Sequence, residues 1–119
     1  MACDETTQIN ITKGEDGRVI DLYLTAKKTG RPYDLTGATE ITVKFPGTTA
    51  TLVKLLTGGG VSVIGNAVLG HIQVTLSAAN INGLSEGNGK DILVWVTKAS
   101  SLKKTTLKGL LYVLKDPFT

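Results

Sequence analysis

The side chains that could do covalent chemistry are few. His71 is the only histidine of the 119 residues and Cys3 the only cysteine. Nucleophilic catalysis needs a nucleophile, a base within hydrogen-bond reach and a group that orients the base. His71 lies in the run HIQVTL, in register with Gln73 and Thr75 and out of register with Ile72, Val74 and Leu76. That alternation predicts a solvated imidazole on an outer face rather than a catalytic base. One histidine and one distant cysteine cannot assemble a structural zinc site. Carboxylates could hold calcium or cleave a glycosidic bond, and the densest group is Asp4, Glu5, Glu15 and Asp16. It is split between the chain start and the turn KGEDG, which lacks the ligand spacing of an EF-hand, so a hydrated hairpin tip is expected. The glycine-rich stretches TGGGVSVIG and GLSEGNGK open no predicted helix and so offer no phosphate cradle. No catalytic residue, metal or cofactor is expected, and the chain reads as non-enzymatic.

The recognition chemistry that remains is aromatic. Tyr23, Tyr33, Trp95 and Tyr112 are the candidate interface or ligand contacts, because an exposed ring can stack on a sugar or fill a partner's pocket. Trp95 and Tyr112 belong to neighbouring predicted strands and could share a face, although a tryptophan late in a β domain is commonly a core filler. Specific nucleic-acid binding would need basic residues interleaved with a row of exposed aromatics. Lys103, Lys104 and Lys108 supply charge without that row, so it is not expected.

These side chains must be carried by strands. The hydrophobic content is 41%, largely Val, Ile and Leu with abundant Thr, residues that suit a pleated surface. Fourteen glycines against three prolines fit many tight connections between short strands. Ile9 and Ile11, then Ile20, Leu22 and Leu24, recur at every second position on either side of KGEDG. Gly30 and Pro32 break the chain before TEITVKF, with Asp34 set to bond its own backbone and Leu35 to tuck under the domain edge. TATLVKLL is the expected antiparallel partner of TEITVKF. The triplet Gly58 to Gly60 is a flexible tip before VSVI, and HIQVTL continues what reads as a meander. SAANINGLSEGNG allows at most one helical turn, and a polar loop is expected there. KDILVWVTKA and TTLKGLLYVLK are apolar on both faces over part of their length, as central strands are, and are expected to be joined by SSLKK with the lysines guarding an edge. Ile20, Leu22, Leu24, Ile41, Val43, Phe45, Ile72, Val74, Leu76, Ile92, Val94 and Val96 are the predicted core. Seven or eight strands at spacings of about 8 to 12 residues predict one all-β domain over residues 1 to 119, an antiparallel sandwich of two sheets, with a small barrel as the alternative.

The net charge of +3 would draw the protein weakly towards polyanions. A lone cysteine argues against a disulfide scaffold and for folding in a reducing cytoplasm. The opening MACDETTQINITKGED has neither the basic start nor the apolar stretch of a signal peptide, and no apolar run approaches the ~20 residues of a membrane span.

The stretch ITKGEDGRVIDLYLTAKKTGRPYDLTGATEITVKF resembles the start of an immunoglobulin-like domain found in bacteriophage tail and baseplate proteins, such as the N-terminal domain of baseplate upper proteins. Lys13 and Gly14 take the place of that family's Lys-Gly turn, and Gly30, Pro32, Asp34, Leu35, Thr36, Gly37 and Ala38 that of its "dG.p.dLtGa" segment. LGHIQVTLSAANINGLSEGNGKDILVWV is similar to a later family region through Gly70, Leu76, Leu84 and Gly87, and TTLKGLLYVLKD looks like its closing strand. The resemblance implies an immunoglobulin-like fold and a virion structural protein, made in the host cytoplasm and working through contacts with other virion proteins, as a homo-oligomer. Family members usually continue into a further domain or stalk, whereas this sequence stops at KDPFT. A free-standing tail accessory, head-fibre base or capsid decoration protein is therefore also within its reach. The alternatives from the residues themselves are a module binding carbohydrate or another host-surface glycan, and an inhibitor or anti-host factor acting through KKTGRPYD and GLSEGNG.

Overall fold

In the computed structural model, residues 2–3, 8–26, 29–99 and 101–115 are described. The chain forms β1 (Ala2–Cys3), β2 (Ile9–Thr12), β3 (Gly17–Thr25), β4 (Ala38–Phe45), β5 (Leu52–Leu55), β6 (Val61–Val63), β7 (His71–Ser77), α1 (Ala78–Asn82), β8 (Gly87–Lys98) and β9 (Ser101–Leu114). The strands make two sheets, ordered β1-β3-β7-β6 and β2-β9-β8-β4-β5. The molecule is thus mostly β, as the residue pattern predicts.

Alternation selects which side chains the two sheets share. All twelve predicted core residues are buried, from Ile20 at 4% exposed to Val43 and Val96 at 0%. They form one cluster with Ile11, Leu35, Val61, Ile81, Leu84, Leu107, Leu111 and Val113. Because residues of both sheets enter the same cluster, separating the sheets would expose the whole of it to water, which is the main force holding the fold together.

Several expectations are corrected by how the chain crosses between the sheets. The structure is not wholly antiparallel: β2 runs parallel to β9, with Ile9 opposite Leu111 and Thr12 opposite Leu114. KGEDG is accordingly no hairpin tip, since β2 joins the five-stranded sheet whereas β3 pairs with β7. A connection that changes layer does not have to reverse the chain within one sheet, so it leaves the direction of β2 free. The turn is tied down by Glu15, whose carboxylate accepts from the Thr12 amide at 2.6 Å and from Arg18 at 3.1 Å. The Gly14 amide donates to Asn82 Oδ1 at 3.1 Å. Nor is the middle of the chain a single meander. β4 and β5 pair antiparallel as expected, but β6 and β7 lie in the other sheet. The glycine triplet is the crossover, held by Gly60, whose carbonyl accepts from the Thr75 amide at 2.8 Å.

Nine strands lie among the described residues, against the seven or eight predicted. The extra ones are short, and β1 has two residues. SAANINGLSEGNG contains a true helical turn. Ser77 caps it, accepting from the Asn80 amide while the Asn80 side chain accepts from the Ser77 amide, a reciprocal capping box that satisfies two otherwise orphaned donors. The turn places Ile81 and Leu84, both 0% exposed, into the core. Within SSLKK, Ser101 to Lys104 are strand rather than linker, because β8 and β9 stay paired out to Lys98 and Ser101, and Ser100 lies outside the described residues.

The segment before β4 shows why its residues are of these types. Asp34 Oδ1 accepts from the Thr36 amide at 2.8 Å, Leu35 is 2% exposed, and Gly37 turns the chain at φ +80°. Gly70, between the 3₁₀ turn Ala67–Leu69 and β7, has φ +67°, and a Cβ there would lie 2.5 Å from the Leu24 carbonyl oxygen and 2.9 Å from that of Tyr33. At Gly37 a Cβ would meet nothing within 4 Å. Gly37→Ala should therefore cost only the left-handed backbone penalty of about 1–2 kcal/mol, and Gly70→Ala clearly more, because backbone must also move. Urea denaturation of both variants checks the order; equal losses would show that the close approach at Gly70 carries no energy.

Candidate interaction face

The outer faces of the two sheets carry different chemistry. On the five-stranded sheet the register lines up Val53, Lys44, Leu93 and Thr106 across β5, β4, β8 and β9, and beside them Leu55, Thr42, Trp95 and Lys104. Thr97 and Leu102 continue the face towards the β8–β9 turn. Val53 is 43% and Leu102 48% exposed, while Leu55, Leu93 and Trp95 are half-buried. An outer sheet face that only met water would carry few large apolar side chains, whereas this one sets Val53, Leu55, Leu93, Trp95 and Leu102 among its lysines and threonines.

Trp95 is at the centre of that face. Lys44 reaches it from β4, with Nζ 3.6 Å from a ring centroid, and Lys104 reaches it from β9 at 4.3 Å. The two ammonium groups come from the strands on either side of β8, and each gains from the negative face of the indole. Among the described residues no carboxylate forms an ion pair with either lysine. By alternation from buried Leu107, Lys108 points to the same side. Glu40 and, by alternation from buried Ile92, Asp91 are carboxylates of this face, and both are engaged: the Glu40 side chain accepts from the Thr57 hydroxyl and from the Thr57 and Ile41 amides, and Asp91 Oδ1 accepts from the Gly109 amide at 3.0 Å. The Thr57 hydroxyl bond, first among these, holds the Glu40 carboxyl below its ordinary range.

The four aromatics singled out from the sequence do not converge. Trp95 and Tyr112 share the outer face of the five-stranded sheet, but Trp95 is opposite Lys104. Tyr112 is eight positions further along β9, beyond the register shift between Ile92 and Lys90, with its hydroxyl beside Gly89. Tyr33 is in the loop before β4, its ring 5.1 Å from Lys98 Nζ, which also donates to the Asp34 carbonyl at 2.7 Å. Tyr23 is 42% exposed on the opposite sheet. No coplanar platform for a sugar or base results, and the Trp95 ring is already attended by two ammonium groups.

The outer face of the four-stranded sheet gathers a polar cluster that the sequence left unread. His71 does point outward with Gln73 and Thr75, as expected, but it is not freely solvated. Its Nε2 is 2.7 Å from Asp21 Oδ1, and its ring stacks on Tyr23 with centroids 4.4 Å apart. Gln73, directly opposite Asp21, donates to the same oxygen at 2.9 Å. His71 is a diagonal neighbour of Asp21, since its own partner in register is Tyr23. Strand register creates this contact, and alternation alone cannot reveal it. Val19, 53% exposed, completes the face, and the strand positions there that alternate outward include no lysine or arginine.

Of the carboxylate group singled out earlier, Asp4 and Glu5 fall outside the described residues, Glu15 serves the β2–β3 turn, and Asp16 is exposed. The side chain of Cys3 also falls outside them. Among the described residues no three His, Cys, Asp or Glu side chains gather as a metal site would require, and no helix is long and apolar enough to cross a membrane. No protein-family model matches the chain, and no curated protein matches it.

Asp21 gives a test of the outer cluster. The hydrogen bond from His71, then that from Gln73, holds its carboxyl below the ordinary value of 3.8. A carboxylate depressed in the folded state stabilises the fold above its unfolded pKa, and that stabilisation is lost as pH falls through the folded value. The Asp21 carboxyl carbon, followed by NMR, should titrate below 3.8, and His71→Ala should move its midpoint upward. A midpoint unchanged by His71→Ala would show that the pair does not form in solution.

Proposed function

We propose that this is a non-enzymatic virion structural protein of a bacteriophage, a tail, baseplate or capsid accessory subunit with an immunoglobulin-like sandwich fold, acting through protein contacts. The observation that carries the functional reading is the apolar and cationic outer face around Trp95, since a face with Val53, Leu93 and Leu102 turned outward gains by being covered.

The strand order supports the fold assignment. Taking β1, β3, β7 and β6 as strands A, B, E and D, and β9, β8, β4 and β5 as G, F, C and C′, reproduces the two sheets of an immunoglobulin-type sandwich. The N-terminal segment then contributes to both sheets, first beside β3 and then beside β9. The chain lacks the paired cysteines that bridge the sheets in antibody domains. Leu22, Leu24, Val94 and Val96 are buried on the corresponding strands, so apolar packing replaces the bridge. The phage context comes from the resemblance of the segment Ile11 to Phe45, whose Asp34, Leu35 and Gly37 set the entry to β4.

A glycan-binding role would call for an unobstructed ring with polar groups converging on it, and none of the four aromatics has that setting. Trp95→Ala should leave the protein folded and reduce its incorporation into particles at least tenfold, because aromatic anchors dominate interface energies. The check is cosedimentation with purified virions of the phage that encodes the chain, alongside a melting curve. A chain never recovered with particles would refute the assembly role, and a collapsed melting curve with undiminished incorporation would refute the part given to Trp95.

A further inference from the structure

The two outer faces complement one another. The five-stranded sheet presents Lys44 and Lys104 astride Trp95, with apolar Val53, Leu93 and Leu102 around them. The four-stranded sheet presents the Asp21 carboxylate between exposed Val19 and Tyr23, with Asp16 at the entry to β3. Asp21 is fixed in place by His71 and Gln73, so its charge is preorganised rather than carried on a free rotamer. Lysines are present on one face and absent from the outward strand positions of the other. Both faces are β-sheet surfaces, and β faces can pack on one another at about 10 Å with their strands roughly aligned. We infer that the outer face of the five-stranded sheet docks onto the outer face of the four-stranded sheet of a second copy of this chain, with Lys44 and Lys104 meeting the partner copy's Asp21.

This deepens the assembly reading and rests on it. Because the two patches are different surfaces, the contact is head-to-tail, and repetition gives a ring where the rotation closes and an open filament where it does not. Face-to-face pairing of like surfaces is disfavoured, as it would set the lysines of one copy against those of the other. The polar bonds that hold Asp21 survive docking, since His71 and Gln73 lie in its own sheet. Added salt should loosen the contact, because its charged groups start out solvent-exposed.

A charge swap tests the contact. In one variant Lys44→Glu and Lys104→Glu reverse the first face; in another Asp21→Lys reverses the second. Circular dichroism of each must match the unaltered protein. Sedimentation velocity should show the unaltered chain associating, and each variant alone associating at least tenfold more weakly, as like charges meet in both. Mixed together, the two variants should regain association, because each reversed face then finds its complement. A chain that stays monomeric at high concentration, or a mixture that associates no better than its components, overturns the inference. Parallel cosedimentation of the Lys44→Glu, Lys104→Glu variant with virions separates the two levels. Loss of particle binding by a monomeric protein would leave the assembly role standing with another partner on that face. Self-association obeying the swap in a protein absent from particles would do the reverse.

Discussion

Each long strand of this protein has to face two environments at once, and the strict two-residue period of the side chains decides which residues meet which. Ile41, Val43 and Phe45 on β4 are buried, and Thr42 and Lys44 between them are not. The same division runs through β3, β7 and β8. Shifting any of these strands by one residue would turn its apolar row to water. The inner faces are thereby committed to a single core, and whatever the protein recognises must be read by outer faces, edges or loops.

The outer faces have taken up that freedom unequally. One holds a single tryptophan between two lysines from flanking strands, and the other holds a carboxylate between a histidine and a glutamine. Both arrangements are made of cross-strand neighbours, so the sheets fix the backbones that carry them, and hydrogen bonds from His71 and Gln73 order the Asp21 side chain. Side chains ordered in advance lose less entropy on meeting a partner than free ones. On β9, away from β8, β2 pairs only with Leu111 to Leu114. Lys103, Lys104 and Lys108 fall on the remaining stretch, where lysines discourage indiscriminate strand addition. The five-stranded sheet thus offers a face for contact while its neighbouring edge carries charges that resist it.

Much of the inner structure was legible in the sequence, and much of the outer structure was not, for one physical reason. Alternation is a local property, and every one of the twelve residues it assigns to the core is buried. The burial of Leu35 is likewise legible from its position after a turn-forming aspartate. Ile81 and Leu84 escaped because they sit among polar and small residues, and their burial depends on a helical turn that only the Ser77 and Asn80 capping bonds define. Pairing direction and register arise between distant segments. The parallel alignment of β2 with β9, the diagonal meeting of His71 with Asp21, and the placing of Lys44 and Lys104 over Trp95 could not be read from the runs that contain them. The four aromatics are visible as residues in the sequence but form no common site, since the strands that carry Tyr23, Trp95 and Tyr112 and the loop that carries Tyr33 set them on separate parts of the surface.

The central claim is that the face around Trp95 is covered when the protein does its work. Lysine acetylation read by mass spectrometry tests it most directly, comparing the dispersed chain with its assembled form, and using exposed Lys115 as the internal reference. Lys44 and Lys104 should react in the dispersed chain and be strongly protected after assembly, while Lys115 reacts alike in both. Equal reactivity of Lys44 and Lys104 in the two forms would contradict the account.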